Sequence, residues 1–115
     1  MKRSEEYPEG DFRRGDPRFQ GKNFDANIRV ATRIREMADA KKATPAQIAL
    51  AWLLHKGNDI VPIPGTKRRK FLEENIRAAE LCLSAADMKE LNDSLPPGVV
   101  AGSRYNNENM SLIDR

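Results

Sequence analysis

The sequence predicts a mainly helical chain with one short β-strand, and three observations carry that expectation. Apolar residues recur at steps of three or four in four separate segments. Helix-start signatures stand at Thr44 and Ser84. A single β-branched run, 59–63, is bracketed by Gly57-Asn58 and Pro64-Gly65.

Residues 1–23 contain Gly10, Gly15, Gly21, Pro8 and Pro17 among many charges, and no period emerges, so they are expected to form a long loop. Such a stretch is functional, disordered or separated from something it packs against. From Phe24 the residues Phe24, Ile28, Ala31, Ile34 or Arg35, and Ala38 lie on one helical face, with Asn23 or Asp25 available as a cap and an end near Lys42. A second helix opens at Thr44-Pro45-Ala46-Gln47, which combines a Thr N-cap, Pro at the first helical position and Gln three residues after the cap. Its apolar side is Ile48, Ala51, Trp52 and His55, widened by Leu50, Leu53 and Leu54, and Gly57 is placed to stop it.

The run Asp59-Ile60-Val61-Pro62-Ile63 reads as a buried strand, with Pro62 arguing for a strand end or a dispensable pairing position. A third helix follows Gly65 within a few residues, with Leu72, Ile76 and Ala79 inward. The fourth starts at Ser84-Ala85-Ala86-Asp87, carries Met88, Leu91 and Leu95, and is ended by Pro96-Pro97-Gly98. Residues 96–115 form a polar tail whose larger apolar groups are Tyr105, Met110, Leu112 and Ile113. No internal repeat is present. The whole is expected to be one unit spanning 1–115: loop 1–23, helices and strand 24–95, tail 96–115.

The chain has 115 residues, 39% hydrophobic and 32% charged, enough for a modest core. No apolar run approaches the ~20 residues of a membrane span, and Met1-Lys2-Arg3-Ser4-Glu5-Glu6 does not open a signal peptide. The expectation is a cytoplasmic protein without a membrane partner. Cys82 is the single cysteine, which excludes an internal disulfide and a cysteine metal cluster. Between Leu81 and Leu83 it reads as a small buried hydrophobe.

The formal net charge is +3. Lys67-Arg68-Arg69-Lys70 supplies +4, which leaves −1 for the rest. Charge concentrated on one turn suits a discrete anionic ligand better than a long polyanion.

The chemistry therefore lies in 60–75, where strand, glycine turn and basic helix start follow one another. Backbone N–H groups at a helix N-terminus are unpaired, and the helix dipole favours an anion there. Gly65 permits close approach of a phosphate, Thr66 offers a hydroxyl, and Lys67 and Arg68 offer charge-assisted bonds. Glu74 and Asn75 are spaced to hydrogen-bond a base or ribose. On these residues alone, a solvated basic helix start explains the pattern as well as a phosphate site does.

Three segments in order resemble the C-terminal sequence of aldo-keto reductases: Thr44-Pro45-Ala46-Gln47-Ile48-Ala49-Leu50-Ala51-Trp52-Leu53-Leu54, Ile60-Val61-Pro62-Ile63-Pro64-Gly65-Thr66-Lys67-Arg68-Arg69-Lys70, and Leu72-Glu73-Glu74-Asn75. Asp11-Phe12-Arg13-Arg14, Pro17-Arg18-Phe19-Gln20-Gly21, Asn23-Phe24 and Gly102-Ser103-Arg104-Tyr105 are similar to the branch related to plant auxin-induced reductases. The resemblance runs from about Asp11 onward. It implies the last part of a (β/α)8 barrel, with 59–63 as the eighth strand and 24–56 as the helical layer before it, a fragment too short to close a barrel by itself.

It further implies an NADPH-dependent carbonyl/alcohol oxidoreductase site, with Gly65, Thr66, Lys67 and Arg68 on the 2′-phosphate of NADP(H) and Phe71, Glu74 and Asn75 on the adenosine. Phe71 departs from the family pattern, in which Arg, Gln or Asn is common. The family's catalytic Tyr, Lys, Asp and His lie before the resembled segment, and none of their motifs occurs here. The expectation is cofactor binding without catalytic residues, and a chain that self-associates or completes a barrel supplied by an N-terminal fragment.

Other residues have plainer readings. His55 and Trp52 share the inward stripe of a helix, which favours packing over catalysis. Tyr105 stands in the tail, outside the family's catalytic motif. Asp87, Glu90 and Asp93 are solvent-facing helix acids without metal-ligand spacing. A nucleic-acid module is the rival from another class, on a pI of about 9.2 and Arg13, Arg14 and Arg18 beside the 67–70 run. Aromatic residues interleaved with the cations are confined to Phe12 and Phe19, so this reading ranks below the reductase one.

Overall fold

A computed structural model describes residues 2–113. The chain divides into two compact units, one made of Met1–Ala31 and Pro96–Arg115, the other of Thr32–Leu95. Helix α1 (Gly21–Ala40) passes from the first to the second.

In the unit Thr32–Leu95, local chemistry sets most element ends. The last turn of α1 closes with Ala43 N–H donating to Ala38 O at 2.9 Å and Lys42 N–H to Asp39 O at 3.1 Å, a Schellman arrangement that places Lys42 at φ 52°. Helix α2 (Pro45–Leu54) begins as expected: the Thr44 side chain accepts from Gln47 N–H, and the Gln47 side chain accepts from Thr44 N–H. His55, not Gly57, ends it. The imidazole Nδ1 lies 2.8 Å from Ala51 O, while Nε2 accepts from Leu83 N–H at 3.3 Å, so the histidine is a helix-end tie.

Helix α3 (Arg69–Arg77) runs into a 3-10 turn, Ala78–Glu80. Helix α4 (Ala85–Ser94) starts on the expected Ser84 and Asp87 capping box. Met37, Ala38, Ile48, Ala51, Leu83 and Leu91 form the core, with Ile34, Trp52 and Met88 packed around it. Ile48 is fully enclosed.

The expected buried strand at 59–63 is not formed, and no strand occurs among the described residues. Pro62 and Pro64 fix their own φ and disfavour helical backbone at Val61 and Ile63, and the segment has no regular secondary structure. A strand needs a neighbour's N–H and C=O groups as well as its own residues, and no described segment supplies them. Val61 and Ile63 are accordingly 80% and 92% exposed.

The same absence turns Leu72, Ile76 and Ala79 outward, where the sequence placed them inward. Ile76 is 62% exposed, and Ala78 is the buried residue of that stretch. These side chains, with Leu50, Leu54 and Pro62, line a hollow of about 380 Å³. Cys82 is exposed rather than buried, because the chain there runs between two helical segments with Leu83 turned into the core.

In the other unit, residues 1–23 are not a featureless loop. Three 3-10 turns, Ser4–Glu6, Phe12–Arg14 and Pro17–Phe19, precede α1, and α1 begins three residues before Phe24. Neither Asn23 nor Asp25 caps it: Asn23 donates to Pro17 O at 3.1 Å and Asp25 pairs with Arg3 at 2.6 Å.

Buried Asn27 ties α1 to the tail. Its Nδ2 donates to Ala101 O at 2.9 Å and its Oδ1 accepts from Ala101 N–H at 2.8 Å. Gly102 (φ 88°) follows, and a Cβ there would lie 2.8 Å from Asn23 Nδ2 and 3.2 Å from backbone atoms of Pro17 and Arg18, so only glycine fits. The tail also contains a short helix the sequence did not suggest, α5 (Asn107–Met110), capped by Asn106.

Candidate functional site

The seven residues singled out in the sequence line one open hollow of about 710 Å³: Gly65, Thr66, Lys67, Arg68, Phe71, Glu74 and Asn75, with Ala46 from the first turn of α2. The irregular 60–64 segment leads into Gly65. A Cβ placed on Gly65 would meet nothing within 4 Å, so the hollow is open directly beside the backbone.

Thr66 makes the turn. Its hydroxyl accepts from Arg68 N–H at 3.3 Å and donates to Arg68 O at 3.1 Å, an arrangement Ser and Thr favour because a short hydroxyl can replace a backbone partner. In this structure the Thr66 hydroxyl therefore serves the loop itself. Arg68 is the N-cap of α3 with extended backbone (φ −125°, ψ 132°), and no side chain caps the helix.

The first turn of α3 contains no acidic residue. It opens instead on Lys67, Arg68, Arg69 and Lys70. Cations at a helix N-terminus oppose the helix dipole and weaken the first turn, typically by some 0.3–1 kcal/mol each at exposed positions. Only Arg69 has an acidic partner, Glu73 at 2.8 Å. Among the described residues Lys67, Arg68 and Lys70 make no ion pair. A helix start that breaks its own charge rule and leaves cations unneutralised has the donor set for a phosphate: helix N–H dipoles, the unpaired Lys67 and Arg68 lining the hollow, and an approachable glycine.

The opposite wall is held differently. Glu74 Oε1 accepts from the Thr44 hydroxyl at 2.8 Å, and Glu74 O accepts from Gln47 Nε2 at 2.9 Å. Asn75 is half-buried, and Phe71 presents 44% of its surface. Ala46 was missed in the sequence because it carries no polar group. Thr44 and Gln47, whose sequence signature is a helix cap, also reach this wall through Glu74. No cluster of three or more His, Cys, Asp or Glu residues suited to a metal occurs among the described residues.

The arginines that suggested a wider basic face are engaged elsewhere. Arg13 binds both carboxylate oxygens of Asp11, at 2.9 and 2.6 Å, and stacks 4.1 Å over the Tyr7 ring. Arg14 donates to Tyr7 O at 2.7 Å and Arg18 to Gly102 O at 3.2 Å. Arg13 holds Asp11 down at about pKa 2. Tyr105 is half-buried with Arg104 over its ring. No described helix is long and apolar enough to cross a membrane.

A model of the Aldo/keto reductase family matches residues 1–95. The chain is 49% identical over 104 residues to the NADP(+) aldo-keto reductase yakc of Schizosaccharomyces pombe, an alignment covering 90% of this chain and 31% of that protein. It is 46% identical over 103 residues to probable aldo-keto reductase 1 of Glycine max, covering 90% of this chain and 30% of that protein. The chain thus spans about a third of the length of these curated relatives.

Proposed function

Because this chain belongs to the aldo/keto reductase family, we propose that the hollow at the start of α3 receives the adenosine 2′-phosphate end of NADP(H). One observation carries the reading: all seven residues expected at that end line a single hollow, and its cationic side lacks acidic partners. Lys67 and Arg68 hold the 2′-phosphate by charge-assisted bonds, with the α3 N–H groups behind them. Gly65 admits the phosphate to the backbone. Phe71 packs on the adenine face, and Glu74 and Asn75 take polar edges of the nucleoside. The yakc relative, named for NADP(+), supports the choice of cofactor.

NADPH, when bound, is the hydride source for reduction of a carbonyl. The Tyr, Lys, Asp and His motifs that direct hydride and proton transfer in the resembled family are not in this sequence, so the 115 residues bind the cofactor without turning it over. The 60–64 segment, with Val61 and Ile63 exposed, is where the barrel strands absent from these residues would pair to complete the enzyme.

Calorimetry of the full chain against 2′,5′-ADP and 5′-AMP tests the cofactor reading. Binding of 2′,5′-ADP at least tenfold tighter than 5′-AMP, weakening as salt rises, is the expected result. Equal affinity for the two nucleotides sinks it. NADPH oxidation in the presence of a test aldehyde by the purified chain contradicts the non-catalytic part.

A further inference from the structure

We infer that Thr44 and Gln47 are positioning residues for the nucleoside side of this pocket, acting through Glu74; the inference rests on the cofactor reading above. Each residue has two functions that the geometry separates. The Thr44 hydroxyl accepts from Gln47 N–H at 3.2 Å and donates its proton to Glu74 Oε1 at 2.8 Å. The Gln47 carboxamide accepts from Thr44 N–H at 3.0 Å through Oε1 and donates through Nε2 to Glu74 O at 2.9 Å.

Capping α2 requires only the two acceptors. The two donors go to Glu74, one to its side chain and one to its backbone, across 30 and 27 residues of sequence. A glutamate would complete the capping box at position 47 as well as glutamine does, and an aspartate would cap at position 44 as well as threonine does. Neither could donate. The uncharged donors present here therefore do something a cap does not need. They fix both the backbone and one carboxylate oxygen of Glu74 on the wall of the hollow. Among the described residues the Glu74 carboxylate makes no other hydrogen bond or ion pair, so these ties alone orient it.

Substitutions that keep the cap replace each donor by a carboxylate oxygen facing Glu74, so the tie is lost and Glu74 is pushed off its place on the wall. Gln47→Glu and Thr44→Asp retain the acceptors for α2 and lose the bonds to Glu74, while Thr44→Ser retains both. The full chain and its variants are titrated with 2′,5′-ADP and with inorganic phosphate, and helicity and thermal midpoint are recorded in parallel. The expected result is a three- to tenfold rise in the dissociation constant for 2′,5′-ADP in Q47E and T44D, about one hydrogen bond's worth. Phosphate affinity, helicity and T44S stay at the wild-type level.

Wild-type binding of 2′,5′-ADP that Q47E and T44D share undiminished overturns the inference alone. So does an equal loss for phosphate and nucleotide. Absence of wild-type binding overturns the cofactor reading as well.

Discussion

Lys41 Nζ lies 2.6 Å from Asp87 Oδ2, joining the end of α1 to the first turn of α4. The same carboxylate accepts from Ser84 N–H at 2.7 Å and from the Ser84 hydroxyl at 2.8 Å. The Lys41 bond first, and those of Ser84 after it, outweigh the cost of burial and lower the Asp87 pKa. A carboxylate with a lowered folded-state pKa contributes stability above the ordinary aspartate value of ~3.9, and loses it as pH falls through the folded value. Asp87→Asn should cost about 1 kcal/mol at neutral pH. Urea unfolding of both proteins at pH 7 and at about pH 2 checks this, the gap between them closing at the lower pH.

Lys42 occupies the left-handed position of the α1 terminus at φ 52°, where a side chain crowds its own carbonyl. Glycine relieves that crowding but adds freedom to the unfolded chain. The balance favours Lys42→Gly by about 0.5–1 kcal/mol. A higher urea midpoint with an unchanged slope is the expected outcome, and a lower one contradicts it.

Ile48 is fully enclosed in a core of few large side chains. Ile48→Ala should remove about 2–4 kcal/mol through lost burial and an unfilled cavity. Ile48→Val should cost roughly 1 kcal/mol. Near-UV circular dichroism at Trp52, which packs on this core, reports whether the alanine variant retains fixed packing.

Arg68 is an N-cap without a capping side chain, at the head of a helix that lacks an early acid. Arg68→Asp supplies both a cap and a favourable charge, so thermal stability should rise by about 1 kcal/mol. Affinity for 2′,5′-ADP should fall at least tenfold as one charge-assisted contact is replaced by repulsion. Thermal unfolding and calorimetry on the same samples separate the two effects, and a variant gaining stability while keeping full affinity removes Arg68 from the site.

The features legible in the sequence were those whose cause lies within a few residues. Thr44 with Gln47, and Ser84 with Asp87, announced their helices because a cap is completed three residues away. The 65–75 constellation was legible because the turn, the helix start and one helical face follow each other directly, so sequence spacing already places those residues around one hollow. Ala46 was not, since it reaches that hollow from α2.

What residues 59–63 would become was decided outside them. Their composition specified extended backbone, but pairing takes a partner, and without one Val61, Ile63 and Ile76 face outward. The exposure of Cys82, the tie of His55 to Leu83 and the second role of Thr44 and Gln47 are likewise contacts between segments distant in sequence. Local hydrogen bonding and charge belong to the sequence because their range is one helical turn. Burial and pairing belong to the tertiary structure, because they depend on which surfaces the chain brings together.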